Sequence, residues 1–186
     1  MQMEERIILG IDPGTNIMGY GVIQCKNNKL TLITMGVLKF TRQGDALFRL
    51  KDIFEGVTSI IEAYCPDNVS IEAPFFGKNV QSMLKLGRAQ GVAIAAAMFK
   101  NIPVFEYSPR KVKMAITGKG SASKEQVAAM LHHLIAFDYD QKHLDASDAL
   151  GIAVCHHLQG RQPAGEKSYS GWESFLKKNV ERIVSQ

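Results

Sequence analysis

Residues 9–15, LGIDPGT, decide the fold. Residues 6–11 are apolar and rich in β-branched side chains, which predicts a buried strand, and the Pro13-Gly14 pair predicts a tight turn directly after it. Asp12 therefore stands at a strand end, where open α/β folds build their sites, although an Asp before Pro-Gly is also ordinary turn chemistry. Three further acids favour a functional interpretation, because a single sheet can bring all four together. They are Glu72, Asp145 and Asp148.

The composition predicts one globular domain. The chain has 186 residues, 46% of them hydrophobic, and we expect residues 1–158 to form the domain and residues 159–186 to form a linker and a short amphipathic helix. The longest apolar run, residues 91–99, falls well short of the roughly 20 residues that a membrane span needs. The first five residues are polar and charged, which argues against a signal peptide. Three cysteines without C-x-x-C spacing indicate reduced thiols and a cytoplasmic protein.

The positive charge is concentrated in one part of the chain. Residues 76–124 contain nine Lys or Arg against one acid, a net charge of +8, which leaves −4 for the remainder of a chain whose net charge is +4. A solvated face of scattered lysines is the common explanation for such a run. A basic surface beside an acidic cluster is, however, what a metal-dependent enzyme acting on a polyanion needs, and the imbalance favours that interpretation.

Hydrophobic periodicity predicts an α/β fold with a five-stranded mixed sheet flanked by helices. The first three strands follow one another closely, which indicates an antiparallel meander, and a later strand ending in Glu72 can lie parallel beside the first. The predicted strands are residues 6–11, 19–25, 30–40, 69–73 and 104–107. The predicted helices are residues 45–64, 79–99, a segment opening at Pro109, 123–134 and 143–157.

The last predicted core helix carries two acids. Residues three apart share a helix face, so Asp145 and Asp148 can present two carboxylates together. Asp145 could instead be only an N-cap, which is the common role of a single acid at a helix start. The apolar stretch after Asp148 places both acids at the inward end of a buried helix. His143 could lie beside a metal, although an exposed histidine is the ordinary alternative.

Several residues are candidates for contact with a phosphate backbone or with bases. Phe75 and Phe76 precede Gly77 and Lys78, and we expect one ring to be buried and the other exposed, where it could stack on or wedge between bases. The sequence GKGS at residues 118–121 lacks the spacing of a Walker A motif. The predicted DNA-binding residues are Phe75, Lys78, Arg110, Lys111, Lys113, Lys119 and Lys124.

Two helices carry further patterns. Residues 123–126, SKEQ, predict a capping box that places Lys124 in the first turn of its helix, where free amides and a lysine suit a phosphate. The helix over residues 79–99 has one face almost without side-chain bulk. Close packing on the sheet explains that face, and so does a symmetric contact with a second copy of the chain.

The order of these elements and acids resembles the ribonuclease H-like nucleases and, more narrowly, the RuvC family of bacterial Holliday junction resolvases. The resemblance covers about residues 7–157 and leaves out the tail after Gly160. It rests on the motifs ILGIDPGT, GYGVI, SIEAPFFGKN, LKLGRAQGVAIAAA, PVFEYSPRKVK, GKGSASKEQV and DASDALGIA. Together these motifs are highly specific, whereas DPGT alone is not.

The resemblance implies a homodimer that binds a four-way DNA junction and nicks two strands symmetrically, in recombination and repair. It implies that Phe75 enters the opened centre of the junction and that Lys113 and Lys124 lie near the scissile phosphate. RuvA and RuvB, the branch-migration proteins, are the partners it implies. The residues it implies as ligands of Mg²⁺ are Asp12, Glu72, Asp145 and Asp148.

The residue types themselves suit two-metal hydrolysis. Two Mg²⁺ ions, which Mn²⁺ could replace, can ionise a water and stabilise the leaving 3′ oxygen, so that no Ser-His or Cys-His nucleophile is needed. Asp12 is the candidate bridging ligand because its strand is central, and the products would carry 5′-phosphate and 3′-hydroxyl ends. Three alternatives remain: a sugar kinase or actin-like ATPase, a ribonuclease that cleaves RNA/DNA hybrids, and a junction-binding module without catalysis.

Overall fold

A five-stranded mixed sheet with helices on both faces forms the described part of the chain. The computed structural model describes residues 5–27, 29–40, 46–74, 79–135 and 144–160, apart from the side chains of Leu144 and Asp145. The strands are β1 (Arg6–Asp12), β2 (Ile17–Lys26), β3 (Lys29–Lys39), β4 (Asn68–Glu72) and β5 (Val104–Tyr107). The helices are α1 (Ala46–Tyr64), α2 (Val80–Phe99), α3 (Pro109–Thr117), α4 (Lys124–Leu134) and α5 (Leu144–Gly160).

The strand order is β3-β2-β1-β4-β5, so β1 is the central strand. β1 pairs antiparallel with β2, and β2 with β3, which confirms the predicted meander. β4 lies parallel to β1, with Leu9 opposite Val69 and Ile11 opposite Ile71, and β5 lies parallel to β4. Because parallel strands end at the same edge of a sheet, β1 and β4 deliver their last residues side by side.

One face of the sheet packs against α1 and α2. Ile53, Val57 and Ile61 of α1 are buried there, at the helical spacing that the sequence predicts. Leu47, an apolar residue at the same helical spacing, is 70% exposed, so the packed part of α1 begins after its first turn.

The small residues of α2 divide into two groups. Ala89, Ala93, Ala96 and Ala97 are fully buried against the sheet and α1, which supports close packing as the reason for part of the small-residue face. A Cβ atom at Gly87 or at Gly91 would meet nothing within 4 Å. These two glycines therefore have no packing role within the described residues, and contact with a second copy stays a prediction.

On the opposite face, α5 lies directly on β1 and β2 and is covered by α3 and α4. The approach is close because glycines face the helix. A Cβ atom at Gly10 would lie 2.1 Å from the backbone oxygen of Ala149, and one at Gly21 would lie 2.9 Å from the Cα atom of Leu150. Only residues without a side chain allow the backbone of α5 to pack at this distance.

Helix ends agree with the sequence in most places. The capping box at α4 is present: the Ser123 hydroxyl accepts from the Gln126 amide and the Gln126 side chain accepts from the Ser123 amide. α5 continues to Gly160, three residues beyond its predicted end.

No helix in the described ranges is long and apolar enough to cross a membrane. Cys25, Cys65 and Cys155 are free, as predicted. The predicted linker and C-terminal helix lie almost entirely outside the described residues, so the division at residue 158 stays a prediction.

Candidate active site

A pocket of about 570 Å³ opens at the edge of the sheet where β1 and β4 end. It receives residues from both strands, from α3 and α4, and from the first turns of α5. Its lining consists of Asp12, Glu72, Ser108, Pro109, Arg110, Val112, Lys113, Lys124, Val127 and Asp148. Three of the four predicted acids and three of the predicted cations are thus brought together.

Asp12 is the last residue of the central strand and is half-buried. Its backbone lies opposite Gly19 in the antiparallel ladder with β2, which fixes the position from which the carboxylate enters the pocket. The chain then turns sharply. A Cβ atom at Gly14 would lie 1.7 Å from the backbone oxygen of Ile17, so the turn after Asp12 requires glycine.

Glu72 is the last residue of β4, directly beside the end of β1. Val69 and Ile71 point to the face covered by α1 and α2, so the alternation of the strand turns Glu72 toward the other face, where the pocket lies. Burial raises the pKa of the Glu72 carboxyl, and the negative charge of Asp148 raises it further. Lys124 and Lys113 act in the opposite direction. Burial is thus the main cause of the raised pKa, and the charges around the carboxyl act in both directions.

Asp148 reaches the pocket from α5 and forms an ion pair with Lys124, whose Nζ atom lies 2.5 Å from Oδ2. The capping box at Ser123 begins α4 at Lys124, so local sequence fixes where this lysine stands. The Lys124 side chain is 60% exposed and the Asp148 side chain 25% exposed. Solvent therefore screens the pair, and we assign it little stability.

Asp145 stands in the first turn of α5, three residues before Asp148, but its side chain lies outside the described part of the chain. Among the described side chains, no three His, Cys, Asp or Glu are grouped closely enough to hold a metal ion. Asp12, Glu72 and Asp148 thus share a pocket without forming a closed ligand cage. The fourth predicted carboxylate stays a prediction.

The predicted cations are distributed unevenly. Arg110 and Lys113 line the pocket, as Lys124 does, whereas Lys111 lies on another side of α3 with its Nζ atom 5.0 Å from the centre of the Tyr107 ring. Lys119 is exposed and is not among the lining residues. Phe75, Phe76, Lys78 and His143 lie outside the described residues.

Sequence reasoning missed part of the lining. Val112 and Val127 give the pocket an apolar wall, and Ser108 lies at its rim as the N-cap of α3. The motif S-P at a helix start could have indicated Ser108 as an N-cap, because Pro is favoured at the first helical position. The two valines carry no chemistry-bearing group, so only the packing of α3 and α4 identifies them.

A comparison with protein families agrees with this geometry. A family model described as "Crossover junction endodeoxyribonuclease RuvC" matches residues 8–156, which include all ten residues of the lining. The chain belongs to the RuvC family. This membership confirms the resemblance drawn from the motifs and argues against a sugar kinase or actin-like ATPase.

Relatives within the RuvC family match the chain over nearly its whole length. The RuvC of Cytophaga hutchinsonii is 56% identical over 179 residues, which cover 96% of this chain and 88% of the relative. The RuvC of Bacteroides fragilis is 55% identical over 183 residues, covering 97% of each. The solved structure of Thermus thermophilus RuvC in complex with a Holliday junction substrate has a TM-score of 0.78 at 32% identity and covers 84% of this chain and 95% of that one. The predicted α/β fold of the ribonuclease H-like resolvases is thereby confirmed.

Proposed function

We propose that this chain is a crossover junction endodeoxyribonuclease that resolves four-way DNA junctions by hydrolysing one phosphodiester bond in each of two strands. The family assignment supports the reaction class. The observation that carries the residue assignment is the meeting of Asp12, Glu72 and Asp148 with Lys113 and Lys124 in one pocket at the end of the central strands. Asp145, one turn before Asp148, is proposed as the fourth acid.

The donor set fits a hard divalent cation. The acidic side chains of the pocket offer carboxylate oxygens only, which Mg²⁺ prefers, and the negative charge of Asp148 adds to burial in raising the pKa of Glu72. We propose Mg²⁺, two per active site and replaceable by Mn²⁺, held by Asp12, Glu72, Asp145 and Asp148. Such cations, when bound, lower the pKa of the attacking water and stabilise the leaving oxygen.

The remaining residues of the pocket act on the DNA. Lys113 and Lys124 carry positive charge beside the carboxylates, where they can hold the scissile phosphate and offset the charge that develops on its oxygens. Arg110 adds a third cation at the same opening. Val112 and Val127 form an apolar wall beside these charged groups. Hydrolysis with this arrangement would leave 5′-phosphate and 3′-hydroxyl ends.

The binding partners follow from the same assignment. The Thermus thermophilus RuvC structure contains a Holliday junction substrate, and we propose the same substrate here. A homodimer places two active sites on one junction, which symmetric nicking requires. We also propose RuvA and RuvB as partners and a cytoplasmic location. We propose that Phe75 enters the junction centre and that the DNA is contacted by Lys78, Lys111 and Lys119. A small-angle scattering mass close to twice that of one 20.5 kDa chain would support the dimer, and a monomer mass would contradict it.

Substrate choice tests the proposal. Labelled four-way junction, linear duplex and RNA/DNA hybrid are each incubated with the protein and Mg²⁺. We expect paired nicks in the junction and little cleavage of the others. Preferential cleavage of the hybrid would identify a ribonuclease instead.

The double variant Asp145→Asn with Asp148→Asn separates catalysis from binding. We expect it to bind the junction as the unchanged chain does and to lose cleavage, because the helix would no longer supply carboxylates. Unchanged cleavage would show that α5 carries no catalytic acid, and absence of cleavage in the unchanged chain itself would favour a junction-binding module.

A further inference from the structure

The side chain of Gln90 is a buried polar group that the active site as described does not use. It lies in α2 between Ala89 and Gly91, on the face that packs against the sheet, and it is only 5% exposed. A buried carboxamide costs free energy unless its hydrogen bonds are made. Its presence among alanines therefore calls for an account of its contacts.

Both hydrogens of the Gln90 amide group have acceptors. Nε2 donates to the backbone carbonyl of Glu72 at 3.1 Å and to Oε2 of Glu106 at 2.9 Å. Glu72 is the last residue of β4, and Glu106 lies in β5 opposite Ile71. One side chain of α2 thus joins the ends of two neighbouring strands.

The Glu72 carbonyl lies where the sheet ends. The paired register of β4 with β1 stops at Ile71, and beyond it the Ala73 amide donates to the Tyr107 carbonyl of β5. Unlike the earlier residues of β4, Glu72 therefore has no paired residue on β1. The Gln90 amide supplies a hydrogen bond at this position, from the α2 face of the sheet.

The carboxylate of Glu72 enters the pocket on the opposite face of the sheet, so Gln90 contacts the backbone of Glu72 and stays out of the pocket lining. A displacement of this strand end would move the carboxylate relative to Asp12 and Asp148. A misplacement of about 1 Å at a reacting centre can cost a factor of about 100 in rate.

We propose that Gln90, oriented by Glu106, is a positioning residue for the Glu72 carboxylate. This inference rests on the proposed function, since it assumes that Glu72 is a ligand of the catalytic cations. It assigns α2 a role in the reaction from the face of the sheet opposite the pocket.

The variant Gln90→Met tests the inference, because Met is similar in size and unbranched but donates no hydrogen bond. We expect the single-turnover rate of junction cleavage at saturating enzyme to fall about tenfold, with junction affinity in chelator unchanged within about twofold. We also expect calorimetric titration of the DNA-free protein with Mn²⁺ to show affinity weakened about tenfold.

Two further variants make the result decisive. Ala96→Gly loosens the same buried face of α2 and leaves the Gln90 contacts intact, so it should lower the melting temperature and leave the Mn²⁺ affinity and cleavage rate unchanged. Glu106→Ala removes the acceptor that orients the Gln90 amide. Glu106 is exposed, so we expect this variant to fold. It should lower both the Mn²⁺ affinity and the cleavage rate about threefold.

A Gln90→Met protein that melts earlier, with the Mn²⁺ affinity and cleavage rate of Ala96→Gly, would overturn the inference. Should Gln90→Met fail to fold, Glu106→Ala decides alone, and an unchanged Mn²⁺ affinity in that variant would refute it. The Mn²⁺ titration does not depend on DNA cleavage. Failure of the unchanged chain to cut a junction would therefore contradict the proposed function without deciding the role of Gln90.

Discussion

Asp12 and Glu72 stand on strands, whereas Asp148 stands on a helix, and the two supports are held in different ways. Backbone pairing fixes the strand carboxylates: Ile11 lies opposite Ile71, one residue before each acid. Asp148 depends on how α5 packs on the sheet at Gly10 and Gly21 and on its ion pair with Lys124. The position of Asp148 relative to the two strand carboxylates is therefore set by the packing of α5 on the sheet.

Removal of a strand carboxylate has the largest expected effect. Glu72→Gln keeps the size of the side chain and removes its charge, so cleavage should fall by about 10³-fold, measured as the single-turnover rate with Mg²⁺. Binding to a four-way junction in chelator should stay within about twofold. A fall of less than about tenfold would mean that Glu72 is not part of the metal site.

Gly10→Ala tests the packing contact that relates the strand acids to α5. The added Cβ atom would clash with the backbone oxygen of Ala149, which cannot move like a flexible side chain, so we expect a loss of about 3 kcal/mol of unfolding free energy. Urea denaturation measures it. The matched control is Gly91→Ala in α2, where a Cβ atom meets open space and the helix should gain about 0.5–1 kcal/mol. Equal effects at both glycines would refute the role of the close approach.

Lys124→Met separates the stability of the helix-borne pair from its role in the reaction. The pair is screened by solvent, so its loss should change the unfolding free energy by less than about 1 kcal/mol. Cleavage should fall by about 10- to 100-fold because the proposed contact of Lys124 with the scissile phosphate is lost. Lys51→Met removes an exposed ion pair with Glu55 outside the pocket and serves as the control, in which cleavage should not change. Similar cleavage rates in the two variants would contradict the assignment of Lys124.

The smallest expected effect concerns the far end of α5, where Nδ1 of His156 lies 2.7 Å from the Tyr107 hydroxyl oxygen. Burial lowers the pKa of His156, and the charge of Arg6 lowers it further. The unfolded chain therefore binds more protons, so the stability that His156 contributes is present above its ordinary pKa of 6.5 and is lost as the pH falls below it.

Urea denaturation at pH 5.5 and at pH 7.5 checks this sign. His156→Gln should reduce the loss of stability at the lower pH, while His133→Gln, on an exposed part of α4, should leave it unchanged. Cleavage at pH 7.5 should be nearly the same in both variants. A His156→Gln protein that keeps the full pH dependence would show that another group causes it.

Local sequence predicted the end of β1 at Asp12 and the start of α4 at Lys124. The apolar run before Asp12 and the capping box at Ser123 each depend on residues within one turn or strand of the feature they specify. The pairing of Lys124 with Asp148 joins residues 24 positions apart, and periodicity cannot reveal such a contact.

Other parts of the site depend on which faces meet in space. Lys111 and Lys113 are alike in sequence, yet one lies over the Tyr107 ring and the other lines the pocket. Gln90 was missed because its partners lie on two strands that only the tertiary fold brings beside α2.

The ion pair between Lys124 and Asp148 has a practical consequence. The protein carries its own counter-charge at Asp148, so this acid has an ionic partner without a divalent cation. We expect chelators to stop cleavage while the melting temperature changes little. Enzyme and junction can then be assembled in EDTA, and the reaction can be started at a chosen moment by adding Mg²⁺.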